Sequence, residues 1–169
     1  MKTTLKIILF ILPVVFWNCS VKYSLTGASI SDETKTFQVN YFQNNSTLIE
    51  PGIDRDFTNK LIDLLINQTS LDLVKSNGDL LYEGEIVEYR ISPTTATANN
   101  TAAQNRLTIG VNVRFIDKSD SEAEFEKRFS FYYDYPGSSQ LIGSQKDIAI
   151  DEIFERITQD VFNASLAKW

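Results

Sequence analysis

The chain has 169 residues, 16 basic against 22 acidic side chains, a single cysteine and no histidine. The acidic balance argues against a nucleic-acid binder, whose footprint is a basic patch. Without imidazole, and with one thiol at most, a zinc site, a Cys-His pair and a Ser-His-Asp triad are excluded; only chemistry run by carboxylates alone remains open.

Lys2 and Lys6 precede an apolar run from Ile7 to Trp17, interrupted by Pro13. That is the layout of an export signal. The run is about half of the roughly 20 apolar residues that span a bilayer, so residues 1–18 are expected to be removed. Asn18 and then Cys19, the only cysteine, follow directly. A thiol is the soft nucleophile that a lipid-transfer enzyme alkylates, and the freed amine takes a further acyl chain. Each buried methylene contributes about 0.8 kcal/mol, so several chains anchor where one binds marginally. Cys19 is therefore the expected lipid anchor. The remainder fits one domain, and with Cys19 acylated it has no internal disulfide, so packing must stabilise it.

Residues 19–36 are mostly small and polar and read as a lipidated tether, with the domain proper over 37–169. Phe37, Val39 and Tyr41 alternate with Gln38, Asn40 and Phe42 as a first strand. Pro51 and Gly52 punctuate the chain before a helix of about 17 residues, whose Ile53, Phe57, Leu61, Leu64, Leu65 and Gln68 trace one face; Asp54 and Asp56 suit its positive end. Leu80, Tyr82 and Ile86 mark a second strand whose phase then shifts to Tyr89 and Ile91, which places a bulge near Gly84. Residues 92–105, rich in Thr, Ala and Asn, offer nothing large to bury and read as a long mobile loop.

Alternation is cleanest in Leu107, Ile109, Val111, Val113, Phe115 and in Phe125, Lys127, Phe129, Phe131, Tyr133, a hairpin closed by a polar turn. Its other face carries Thr108, Asn112, Arg114, Glu124, Glu126, Arg128 and Ser130, one wet side of an antiparallel sheet. Arg114, Lys127 and Arg128 are expected to pair with Glu124 or Glu126. After Pro136 and Gly137 a last helix spans about 146–165, with Ile150, Phe154, Ile157 and Val161 as its stripe. The order β-α-β-β-β-α implies an α+β two-layer sandwich, with both helices on one face of a largely antiparallel four-stranded sheet.

This order behind a lipoprotein signal resembles the LptE-type lipopolysaccharide-assembly lipoproteins of Gram-negative outer membranes. The strings that carry the likeness are Cys-Ser-Val-Lys-Tyr-Ser-Leu-Thr-Gly-Ala-Ser-Ile at 19–30, Asn-Arg-Leu-Thr-Ile at 105–109 and Gln-Asp-Val-Phe-Asn-Ala-Ser-Leu-Ala-Lys-Trp at 159–169. The resemblance implies a non-catalytic plug of an LptD-type β-barrel translocon, which it helps to fold and to deliver lipopolysaccharide, without a cofactor or metal. Ser20 rather than Asp after Cys19, and no acidic run beyond it, point to the periplasmic face of the outer membrane.

Lipopolysaccharide presents phosphates and acyl chains, and arginine suits bidentate phosphate contact. Arg90 and Arg106 bracket the 92–105 segment and are the first candidate ligands, against a plain reading as solvated strand-end charges. Tyr132 and Tyr135 are the expected exposed aromatics, whereas Phe129, Phe131 and Tyr133 have the period of core. Trp169 is either a barrel contact or a cap on the core. Glu124 and Glu126 share a wet face without a desolvating pocket, which argues against paired acid-base catalysis. A competing reading of another class is a periplasm-facing lipoprotein that regulates a cell-wall synthase.

Overall fold

The computed structural model describes residues 30–31, 33–96 and 102–167. The expected signal segment at 1–18, Cys19 and Trp169 lie outside the described residues. Eight elements follow in chain order: β1 (Thr36–Val39), β2 (Gln43–Asn44), α1 (Ile53–Gln68), β3 (Asp72–Leu73), β4 (Leu80–Ala96), β5 (Ala102–Asp117), β6 (Phe125–Pro136) and α2 (Gly143–Leu166).

The strands form one six-stranded sheet in the order β3-β1-β4-β5-β6, with β2 paired to β4 beyond the end of β1. The α+β class and the two helices are as expected, but the sheet has six strands, not four, and it is mixed. β1 runs parallel to both β3 and β4, and β2 parallel to β4, while β4-β5-β6 is an antiparallel meander. Parallel neighbours need a crossover connection, and α1 supplies it. β2 and β3 hold two residues each, too few to leave a periodic signal.

The first strand ends at Val39, and the chain then bends so that Phe42, not Tyr41, turns inward: Phe42 is fully buried and Tyr41 is half exposed. Phe42 N–H donates to Thr58 Oγ1 at 3.1 Å, and the Thr58 hydroxyl donates to the Asp54 carbonyl at 2.7 Å. These bonds tie the bend to the first turns of α1. Gly52 opens that helix at φ +89°, a left-handed conformation that costs a side-chain-bearing residue far more than glycine.

The expected bulge in β4 falls between Ile86 and Glu88, just beyond Gly84 and where the apolar phase passes from Ile86 to Tyr89. Gly84 answers a different demand. A Cβ there would lie 2.0 Å from the Asn112 carbonyl oxygen and 2.8 Å from the Phe42 ring, so the close approach of β5 and the bend leaves no room for a side chain.

Residues 92–105 are not a long loop. β4 and β5 stay paired from Leu80↔Asp117 to Ala96↔Ala102, with irregularities around Pro93–Ala96, and only 97–101 fall outside the described residues. Backbone hydrogen bonds carry this far end of the hairpin. Its residues are mostly Thr, Ala and Asn, so the sequence carries no large apolar side chain there to show a pattern. At the other pole the expected tether reaches into the fold: Ile30 packs against the core, Thr34 is buried and Thr36 begins β1.

Both helices cover one face of the sheet. Phe57 of α1 meets Phe42 and Phe154 of α2 edge-on at 5.0 and 5.2 Å. Below them Leu107, Ile109, Val111, Val113 and Phe115 of β5 are fully buried. The buried Tyr82 hydroxyl meets Ser165 Oγ at 2.9 Å, which joins β4 to the last turn of α2.

Candidate functional site

The face of the sheet away from the helices is a ladder of polar side chains, ordered by strand register. Glu83, Arg114 and Glu126 lie side by side across β4, β5 and β6, followed by Glu85, Asn112 and Arg128. Arg114 pairs with Glu83 at 3.4 Å, and Arg128 reaches across Gly110 to Glu88 at 2.5 Å. Arg114 and Arg128, expected to pair with Glu124 or Glu126, thus pair with β4 instead. Lys127 lies over the Phe129 ring at 5.2 Å, because odd-numbered residues of β6 face the helices.

Asn40 and Asn45 donate to Glu83 and Glu85 at 3.1 and 2.5 Å, and so fix one wall of a shallow cleft of about 460 Å³ over β4 and β5. Its lining is amide and carboxylate rich with one guanidinium, Arg114. Among the described residues no group of three or more His, Cys, Asp or Glu side chains is placed to hold a metal ion.

Arg90 and Arg106 stand on this outer face one step apart, since Arg90 pairs with Thr108 and Ser92 with Arg106. The two are diagonal neighbours near the far end of the hairpin, as their bracketing positions imply. Their environments differ. Among the described residues Arg90 makes one ion pair, to Glu88 at 2.9 Å, and its side chain is 56% exposed. Arg106 is bound in bidentate fashion by Asp134, at 2.7 and 2.8 Å, and its guanidinium lies 3.6 Å from the centre of the Tyr132 ring. The hydrogen bonds from Arg106 hold the Asp134 carboxyl below its ordinary range, and Asp134 in turn raises Arg106.

Tyr132 is 45% exposed, as anticipated. Tyr135 is not exposed: it is only 4% accessible, and burial raises its hydroxyl pKa. It continues the inward set of Phe129, Phe131 and Tyr133 past the expected end of the strand. Nearby Tyr89 is pushed up to about 12, first by burial and then by the Glu50 charge.

Sequence reasoning did not single out Asp134, Glu83 and Glu88, the anions that position these arginines. Asp134 was within reach of it: continuing the β5–β6 hairpin from Phe115↔Phe125 sets Arg106 opposite Asp134. At the same end, Lys146 near the start of α2 bridges to Glu50 at 2.7 Å. Three of the most exposed large apolar side chains, Ile49, Ile142 and Ile148, flank that bridge in sequence. Arg90 thus keeps guanidinium donors on the outer face of the sheet, while the exposed isoleucines lie about the Lys146–Glu50 bridge on the helix side. No helix among the described residues is long and apolar enough to cross a membrane.

The fold resembles known structures at low sequence identity. A hypothetical protein from Chlamydia trachomatis matches with a TM-score of 0.54 and 12% identity, over 80% of this chain and 99% of that one. A protein from Xanthomonas campestris matches with a TM-score of 0.50 and 10% identity, over 78% and 84%. The rare lipoprotein B from Shewanella oneidensis follows with a TM-score of 0.48 and 11% identity, over 75% and 89%. No curated protein matches the sequence. The LptE lipopolysaccharide-assembly family model matches residues 34–165, from the buried Thr34 before β1 to Ser165 in the last turn of α2, and the chain belongs to that family of non-enzymatic lipoproteins.

Proposed function

We propose that the protein is an outer-membrane lipoprotein of the lipopolysaccharide transport and assembly machinery. Residues 1–18 are removed, Cys19 is lipidated, and a single domain faces the periplasm. That domain plugs an LptD-type β-barrel translocon, helps it to assemble and assists lipopolysaccharide insertion. The observation that carries this reading is the family match, which covers the described domain almost from end to end. The site adds chemical support. Arg90 keeps guanidinium donors for a phosphate oxygen on the outer face of the sheet, and Ile49, Ile142 and Ile148 offer aliphatic surface on the helix side. Arg106, with Tyr132 beneath it, is the second cation on the outer face, although it must share or exchange Asp134 to bind phosphate.

Affinity purification through a C-terminal tag tests the proposal. A large outer-membrane β-barrel is expected to co-purify. Recovery of a cell-wall synthase without any barrel would overturn the reading in favour of a regulator. In parallel, Arg90→Ala is expected to lower lipopolysaccharide binding by the purified protein severalfold without changing its melting temperature, because an exposed single ion pair contributes little to stability.

A further inference from the structure

The sheet ends at β6, and among the described residues nothing pairs with its outer edge. Twelve residues, Phe125–Pro136, leave an edge of roughly 40 Å at about 3.3 Å per residue. Such an edge is a template for another strand unless charges, bulges or a cover protect it. The charges of β6 lie toward its ends, at Glu126, Lys127, Arg128 and Asp134, and the stretch from Phe129 to Tyr133 has none. A shallow groove of about 410 Å³ between β6 and α2, with Phe131 and Arg156 in its lining, runs beside this uncharged stretch.

We propose that β6 pairs antiparallel with β6 of a second copy of this chain, about a two-fold axis at Phe131, so that the two sheets become one. The occupant follows from the strand's own sequence. A symmetric pairing must set odd positions opposite odd ones, or the helix-facing side chains of one copy would meet the polar face of the other. Centred on Phe131, Arg128 of each copy stands opposite Asp134 of the other, Phe129 opposite Tyr133, and Phe131 opposite itself. Centred on Ser130, Glu126 meets Asp134; centred on Phe129, Glu124 meets Asp134. Like charges directly opposite one another are destabilising. Centred on Tyr132 or Tyr133, the strands make no charge pair.

The Phe131 register also extends contacts already made within each copy. Arg128 is held by Glu88 and Asp134 by Arg106, so pairing links Glu88, Arg128, Asp134 and Arg106 into an alternating chain across the seam, twice by symmetry. The contact is isologous and closes on itself, which leaves no further edge of β6 to recruit a third copy. This inference stands apart from the barrel partnership, since a paired copy and a barrel-bound copy can be alternative states.

The test is disulfide trapping in the full-length chain in its membrane. Residues directly opposite in an antiparallel pair have Cα atoms about 4.5–5.5 Å apart, inside the about 4.4–6.8 Å that a disulfide spans. Phe131→Cys is therefore expected to form a 131–131 disulfide dimer under mild oxidation, identified by peptide mass spectrometry. Tyr133→Cys, displaced four residues from its own copy in this register, should form at least about tenfold less, because Cα atoms beyond about 7 Å are not bridged. Sedimentation of the detergent-solubilised wild type should show a dimer, and Phe131→Asp, with an unchanged circular dichroism spectrum, a monomer. Equal trapping at 131 and 133, or a wild type that sediments as a monomer, would overturn the proposal.

Discussion

Replacing Phe57 by alanine removes a ring that touches both the bend after β1 and the second helix. The side chain is fully buried, and its edge-on contacts with Phe42 and Phe154 join α1 to both. Truncating a buried phenylalanine costs about 3–5 kcal/mol, the transfer term plus the cavity left behind. Each aromatic pair contributes about 0.5–1.5 kcal/mol of that total. Against a typical stability of about 5–15 kcal/mol, the variant should still fold but with much of its margin gone. With a urea slope near 2 kcal/mol/M, the midpoint should fall by about 2 M, followed by circular dichroism at 222 nm. Phe57→Leu keeps most of the volume and should cost less than about 1.5 kcal/mol. A loss below about 1.5 kcal/mol for Phe57→Ala would refute the claim that this ring cluster joins the two helices and the sheet.

Gly84→Ala should destabilise by more than about 2 kcal/mol, because the added methyl has no space against the Asn112 carbonyl and the Phe42 ring; a melting temperature within a degree of wild type would contradict the close strand approach. Tyr82→Phe should cost only about 1 kcal/mol in urea unfolding, since Ser165 still donates to the Val161 carbonyl at 2.9 Å. Asp79 receives the backbone N–H groups of Lys35 and Thr36, both at 2.9 Å, and these bonds hold its pKa below the usual carboxylate range. A depressed folded-state pKa means that its stabilisation is present above the unfolded value of about 3.9 and is lost as pH falls through the folded one. The melting temperature of Asp79→Asn should therefore lie below that of wild type at neutral pH, and the difference should shrink as the pH falls below the unfolded carboxylate range.

Both helices and the β5–β6 hairpin were legible because each spans enough turns or residues for an apolar stripe to recur. The stripe through Ile53, Phe57, Leu61 and Leu65 and the alternation from Leu107 to Phe115 are buried as their spacing implies. Two-residue strands carry no period, so β2 and β3 were invisible and the sheet was read as four-stranded. Tyr135 was misjudged because Pro136 and Gly137 read as the end of a strand that in fact continues through Pro136; extending the alternation by one step places it in the core. The extent of the hairpin escaped for a different reason. Residues 92–96 and 102–105 are held by backbone pairing, which small and polar side chains do not advertise. The arginine partners depend on register between strands far apart in sequence, and the bulge between Ile86 and Glu88 shifts that register partway along β4.

Depletion of the protein from its own host tests the central claim most directly, with newly made lipopolysaccharide followed to the cell surface. The account predicts that lipopolysaccharide stops reaching the surface, that the folded barrel is lost and that outer-membrane permeability rises. Normal surface lipopolysaccharide and normal barrel yield in depleted cells would contradict it.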